Sequence, residues 1–402
     1  MIGKGTSGRL MWLWFAALSY TIGVGTPGDA NAATAPQDWS TQYDKVIGGE
    51  PGTDDALPFL QNVRTAADGT TIAVVQARRV TVWDSRHLSE PVLELWPRDD
   101  VAQLGSSRNV QLDSTGLWVR YDRGLGRFLL DGRLVRTMPS PPDEWVQGGI
   151  VVLGDGTLLA RERFPFPHQV FNWELGHPGW QIAVAHLRLA NDGWMADTVA
   201  IYDSSGRTLG LAVRRNQMFS GQPFADHDLI YWNRPAGAVG IVARNMGTGE
   251  VEVVEVGPGQ DTVLEARVQL PLSLLDRDTI EAAIASHMQR ISRRLRSSDD
   301  SLAASTLHDL VEAALHIPDH LPPVTAVVAT ASNEVWLRSS EPNDSMAVWY
   351  AINRTQPTSP PRRVFLPEQF MLRDATDTHV WGLHVDRRFA GQVQGRRLVP
   401  IG

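Results

Sequence analysis

One unit recurs along most of this chain and limits what it can fold into. It reads as a strand, an Asp-Gly-type turn, a second strand, a looser turn, and a strand that ends in an aromatic or apolar residue plus Asp. The clearest copy runs from Val63 to Trp96. There Asp68-Gly69 forms the turn, Thr71 to Gln76 alternates, Val80-Thr81-Val82-Trp83-Asp84 is a third strand and Val92 to Trp96 a fourth. Asp-Gly between alternating runs signals a tight hairpin, because the primed turns need positive φ, which Gly and Asp tolerate.

The unit returns at Asp113 to Met138, where Leu117-Trp118-Val119, Gly126 to Asp131 and Leu134 to Met138 follow the turn. Asp155-Gly156 separates Ile150 to Leu153 from Thr157 to Leu159, and the strand ending in Asp comes back as Thr198 to Asp203, followed by Arg207 to Val213. A fourth copy covers Leu229 to Val256, a fifth Val324 to Asn353, and a sixth Phe370 to Ile401. Gly69 and Gly116 are 47 residues apart, and Gly116 and Gly156 are 40 apart. That is the period of a four-stranded propeller blade. The pattern predicts an all-β fold, a six-bladed β-propeller forming a single domain over residues 33–402. The sixth copy lacks a strand, while Gln42 to Ile47 stands ahead of the first copy without a place in it. Pairing that strand into the last blade would close the ring and leave no open sheet edge. Spacing also admits five or seven blades, and a pair of β-sandwiches is the competing fold.

The Val-x-Val-Trp-Asp strand ending, the Ser204-Ser205-Gly206-Arg207 turn and the closing Val380-Trp381-Gly382-Leu383 resemble secreted bacterial six-bladed propellers of the broad NHL- and TolB-like group. The helical stretch ahead of Pro318-Asp319-His320-Leu321-Pro322 is similar to one inserted in the later blades of that group. The resemblance covers most of Trp39 to Gly402 and rests on diffuse patterns. It implies the fold and an extracytoplasmic life, and it brings no catalytic residue with it.

Two stretches interrupt the period. The first, around Phe164 to Ala190, sets Phe164, Phe166, Phe171, Trp173 and Trp180 among His168, His177 and His186. Rings of this kind give large contact area at low entropy cost, so a loop carrying them can serve a sugar, peptide or aromatic ligand. The plainer reading is that they cover the end of the core, since a loop this long needs a small core of its own. Phe166, His168, Trp173, His177 and Trp180 are the candidate binding residues here. Histidines nine residues apart match no zinc-ligand pattern, so no metal is expected.

The second interruption, Pro271 to His316, is the helical insertion. Ser273 with Asp276 reads as a capping box. Ile280, Ile284, Met288, Ile291 and Leu295 then repeat at helical spacing. Arg290, Arg293, Arg294 and Arg296 crowd its C-terminal end, where the helix dipole welcomes positive charge. A second helix is expected from near Asp300 to Pro318. The arginines offer a docking platform, or they are simply solvated.

The first residues carry an export leader: Lys4 and Arg9, a mostly apolar run from Leu10 to Val24, and Ala30-Asn31-Ala32 as the cleavage signature. Residues 1–32 are therefore expected to be removed, with a periplasmic or extracellular destination. Fifteen residues fall short of the roughly 20 that a spanning helix needs, so no transmembrane segment is expected in the mature chain. The chain has no cysteine, so about 370 mature residues must hold together by their core alone. The formal charge of −8 argues against nucleic acid as a general partner.

No nucleophile elbow, phosphate-binding loop, H-E-x-x-H or calcium loop is present. His227, between Asp226 and Asp228 at a blade's first turn, is the most suggestive acid–base cluster and a further candidate binding residue for a central channel. One His flanked by two Asp in a turn is more often a solvated loop, and it is not read as catalytic. The expectation is a monomeric binding or scaffolding propeller without catalytic residues or cofactor, its ligand an unknown protein, peptide or glycan. A metal-assisted lyase or hydrolase with an axial site and a subunit of an envelope complex are the alternatives.

Overall fold

The computed structural model describes residues 37–401 apart from 78, 97–109, 122–123, 143–144, 146–148, 163–180, 192, 204–207, 214–215, 296–303 and 344. An N-terminal strand, β1 (Asp38–Ile47), precedes a series of antiparallel meanders. The first meander is β2 (Leu60–Thr65), β3 (Thr71–Gln76), β4 (Val80–Asp84) and β5 (Leu93–Leu95). The second is β6 (Val110–Asp113), β7 (Gly116–Tyr121), β8 (Gly124–Leu129) and β9 (Leu134–Pro139). The third is β10 (Ile150–Val152), β11 (Leu158–Arg161), β12 (Gln181–Ala190) and β13 (Gly193–Asp203). A separate hairpin follows, β14 (Thr208–Val213) with β15 (Asn216–Gly221).

The next meander is β16 (Leu229–Asn233), β17 (Ala238–Arg244), β18 (Glu250–Val256) and β19 (Thr262–Gln269). Helices α1 (Arg277–Leu295) and α2 (Ala304–Ala314) come after it. The chain then gives β20 (Val324–Ala329), β21 (Glu334–Ser339), β22 (Met346–Asn353) and β23 (Arg362–Pro367). It ends with β24 (Met371–Ala375), β25 (His379–Val385) and β26 (Gly391–Pro400). Four meanders stand as separate four-stranded sheets; the last two share an eight-stranded sheet in the order β20-β21-β22-β23-β1-β26-β25-β24. Within it β1 runs antiparallel to β26 from Trp39↔Pro400 to Ile47↔Val393. With β23 it makes only two parallel register pairs, Asp38↔Arg363 and Trp39↔Val364. The spare strand read at Gln42 to Ile47 is thus paired with the last strand of the chain.

The first strands of the meanders lie side by side. β2 touches β6 and β24, β16 touches β20, and β20 touches β24. Gln111 of β6 makes two hydrogen bonds to Val152 of β10, at 2.8 and 2.9 Å. A continuous apolar layer separates each sheet from the next. Val80 and Leu93 meet Leu117 and Phe128, and Trp118 and Met138 meet Leu158 and Leu187. Val151 and Ile182 meet Val239, and Val253 and Leu264 join Val335 and Ile352. Trp336 and Trp349 join Leu372 and Val380, and Trp381 and Leu383 come back to Val63 and Ile72 of the first meander. Each such fully buried side chain contributes about 1.5–3 kcal/mol. Sheets packed face to face in this closed succession, first strands inward, make a β-propeller.

Three readings of strands and turns need correction. Gly69 donates to the carbonyl of Ala66 at 2.9 Å, and Gly156 to that of Leu153 at 2.9 Å. Asp68-Gly69 and Asp155-Gly156 are therefore the last two positions of a four-residue turn, not the centre of a two-residue primed turn. Only the glycines take positive φ (69° and 89°), while the Asp side chains accept from the N–H of Thr70 and Thr157. The third meander is completed by β12 and β13, so the end of the span read as a loop, Gln181–Ala190, is a strand. Its alternating Ile182, Val184 and Leu187 are buried, and Ala190 pairs with Gly193 across the turn. The stretch that follows the Asp-ending strand is not part of that meander: Thr208–Val213 pairs with Asn216–Gly221 in the extra hairpin.

The helical insertion folds on itself. Ile280, Ile284 and Ile291 of α1 pack on Leu307 and Val311 of α2, with Phe224 closing the cluster. Asp276 caps α1 by accepting from the Thr279 N–H at 2.7 Å. Ser273 is no cap: its hydroxyl donates to the Ser340 carbonyl at 3.0 Å. It lies in an extended stem, where Leu275 and Leu321 bond back to Asp319 and Ser273. Gln222 finishes α2, donating to the Ala314 carbonyl and accepting from the His316 N–H.

Candidate functional site

Where the first strands end, their turns surround a cavity of about 690 Å³. Its wall takes Thr65 at the end of β2 and Asp68 beyond it, Asp113 at the end of β6 and Ser114 beyond it, and Leu153 to Asp155 after β10. The wall continues with Arg234 to Gly237 after β16, Ala329 to Ala331 at the end of β20 and just beyond, and Asp374 of β24. Every meander thus contributes. A smaller space of about 180 Å³ shares Arg64, Trp232, Arg234 and Ala329 with this cavity and adds Asn62 and Arg373. Volumes of several hundred Å³ suit a small ligand.

The mouth is acidic, but each carboxylate there holds its own turn. Asp68 accepts from the Thr70 N–H and hydroxyl at 3.0 and 2.9 Å, and Asp155 does the same with Thr157 at 2.8 and 2.7 Å. Asp113 binds Thr115 and also pairs with Arg127 at 2.6 Å. Burial pushes Asp113 up, but Arg127 and Thr115 outweigh it and bring its pKa to about 2.

Deeper in, Arg64 and Arg234 face one carboxylate, Asp374, and Arg373 lies beside Arg64 on the smaller space. Burial pushes Asp374 upward, while Arg64 and three backbone N–H groups oppose it. Those donors are Thr65 at 2.9 Å, Ala331 at 2.7 Å and Ala375 at 2.9 Å. Because Thr65 ends β2 and Ala331 follows β20, Asp374 of β24 ties three first strands together. Burial pulls all three arginines below their ordinary range, Arg234 to about 9, and Arg64 adds like-charge repulsion to Arg234 and Arg373. Enclosed by protein, each still keeps some accessible surface because it faces the open space.

Beside the cavity, Glu255 of β18 is fully buried and accepts from the Tyr231 hydroxyl at 2.8 Å, Asn233 at 2.7 Å and Arg354 at 3.0 Å. Arg354 follows β22, so this network joins two neighbouring sheets at the rim. Burial and Glu255 raise the Tyr231 phenol well above its ordinary value.

Of the residues singled out from sequence, Phe166, His168, Trp173, His177 and Trp180 lie outside the described residues. His227 does not reach this cavity, because β16 presents its other end, Trp232 to Arg234. The His227 carbonyl instead accepts from Arg244, which also donates to Ala225 at 3.0 Å and Val324 at 2.6 Å. His186 lies on β12 with its Nε2 2.7 Å from the Thr157 hydroxyl. Among the described residues no group of three or more His, Asp or Glu side chains is placed to hold a metal ion. Arg64, Arg234, Arg373 and Asp374 were not legible as a set. The available signal was charge at the end of first strands, in Asn62-Val63-Arg64, Trp232-Asn233-Arg234 and Leu372-Arg373-Asp374.

No protein-family model and no curated protein matches the chain. Among solved structures, the WD40 repeats of RRP9 match with a TM-score of 0.41 at 10% identity, covering 89% of this chain and 100% of that one. An oligogalacturonate lyase in complex with manganese matches at 0.37 and 11% identity, covering 91% and 99%. The WD40 domain of SCAP from fission yeast matches at 0.32 and 9% identity, covering 92% and 96%. All these scores lie below one half, and the fold rests on the strand pairing described above.

Proposed function

We propose that this chain is an exported six-bladed β-propeller that binds a small ligand in its axial cavity. The observation that carries the reading is the cavity wall, to which every meander brings the end of its first strand or the turn after it. The count of six takes the eight-stranded sheet as two blades, β20–β23 and β24–β26 with β1, linked by the two register pairs at Asp38 and Trp39. In that count β1 is the outer strand of the last blade, and its long pairing with β26 holds the two ends of the chain together. Closure of this kind removes an open edge that would otherwise recruit other strands.

The leader-like first 32 residues support export. N-terminal sequencing of protein recovered from the envelope or medium should give a start near Ala33; recovery of the intact N-terminus from the cytoplasm alone would overturn that part.

Gly154 offers a clean test of the site. It lines the cavity, and a Cβ built on it meets no atom within 4 Å. Gly154→Trp should therefore fold with an unchanged Tm while obstructing the cavity. A thermal-shift screen with peptides, glycans, organic acids and divalent ions should yield a ligand that stabilises the natural chain and not this variant. A ligand that stabilises both equally would put the binding site elsewhere.

A further inference from the structure

The arginines on the cavity floor have no counterpart that explains them. Arg64 donates one hydrogen bond, from Nη1 to the Arg373 carbonyl at 2.9 Å. The guanidinium groups of Arg234 and Arg373 make no hydrogen bond or ion pair among the described residues, and the buried Nε of all three arginines lacks a partner. Among the described residues Asp374 is the one carboxylate whose charge reaches Arg64 and Arg234. Its oxygens are taken by three backbone N–H groups, and it forms no ion pair with any of the three arginines. The mouth carboxylates are turned to other work: Asp113 to Arg127, and Asp68 and Asp155 to their own turns. Among the described residues the floor therefore holds three cations against one anion, with guanidinium groups lining an open space.

Burying an uncompensated guanidinium is expensive, and apolar side chains of similar volume would be more stable at the ends of these strands. Its planar fork of donors matches carboxylate or phosphate oxygens two at a time, and such charge-assisted bonds are the strong ones. We propose that the cavity floor is a seat for the oxyanion of a small ligand, a carboxylate or a phosphate group, held by Arg234 together with Arg64 and Arg373. This rests on the reading that the axial cavity is the binding site. The anion supplies the missing counter-charge, and the rest of the ligand occupies the wider cavity above, beside Trp232.

Four probes separate the sources of charge: glucuronate, glucose 6-phosphate, inorganic phosphate, and glucose as the neutral partner. Each is titrated into the full chain at low ionic strength, following Tm and tryptophan fluorescence. At least one anionic probe should bind saturably where glucose does not, with glucuronate and glucose 6-phosphate distinguishing a carboxylate from a phosphate ligand. Arg234→Gln should weaken that binding by about tenfold or more. Since Arg234 makes no hydrogen bond to lose, the variant's own Tm should stay level or rise, whereas a structural arginine would lower it. Arg373→Met should behave alike. The proposal fails if no anionic probe binds, or if binding is the same in Arg234→Gln. Failure of the seat and of the site remain distinguishable. If no anionic probe binds but a neutral ligand does and is lost in Gly154→Trp, the seat alone falls; if every ligand found is kept in Gly154→Trp, the site falls as well.

Discussion

Arginine is used in opposite ways in two regions of this molecule. On the helical hairpin Arg277 is exposed, pairs with Glu281 four residues on, and reaches Glu312 of the other helix at 2.8 Å. Its charge is satisfied locally and bathed in solvent. On the cavity floor Arg64, Arg234 and Arg373 are enclosed, Arg64 repels the other two, and none forms an ion pair, with the one carboxylate Asp374 beside them. A cation with a local explanation needs no ligand, whereas one without any points to a ligand. The basic residues of the helical insertion stand out in the sequence because they cluster there; the axial ones are scattered and carry the stronger chemical argument.

Glu255 and Arg354 test the contrast most severely, since there a buried arginine does have its partner. Glu255→Ala should cost about 3–5 kcal/mol in urea unfolding, because Arg354 would be left buried and unpaired. A loss below 1 kcal/mol would mean that buried arginines are cheap in this fold, and the argument from the floor would weaken with it. Asp374→Asn comes next. It removes an acceptor for the Thr65 N–H and the one negative charge beside the arginines, so a loss of about 1–3 kcal/mol is expected.

Smaller still is the contribution of the mouth. Asp113 has a folded pKa of about 2, below its ordinary carboxylate value, so its stabilising contribution is present above pH ~4 and is lost as pH falls toward 2. Its side chain is half exposed, and solvent screening limits that contribution to about 1 kcal/mol or less. Acid unfolding followed by circular dichroism should show Asp113→Asn unfolding with a shallower pH dependence over this range. Arg277→Ala should change least, leaving Tm within error at physiological salt and anion binding untouched. A clear loss of anion binding there would move the seat from the axis to the helices.

Much of the fold was legible because a propeller is local. Each hairpin of the first meander lies within a few residues of its turn, and the dipeptides Asp68-Gly69 and Asp155-Gly156 mark two of them. The same logic failed at β12 and β13, where a long interruption hid the return to the sheet and Asp192-Gly193 went unread. It also mistook Ser273 for the helix cap, since a capping box and an extended stem ahead of an Asp cap look alike in sequence. The site was not legible at all. Residues 64, 234, 373 and 374 meet only because first strands converge on the axis, and nothing in the spacing of one blade says which residue of another it will face.

The most direct measurement is the anomalous difference map of a crystal of the full chain soaked in selenate, a tetrahedral oxyanion visible at the selenium edge. The account predicts a selenate on the cavity floor within hydrogen-bonding distance of Arg234, and its loss in Arg234→Gln crystals. An empty floor beside occupied sites at Arg277 or other exposed arginines would contradict it.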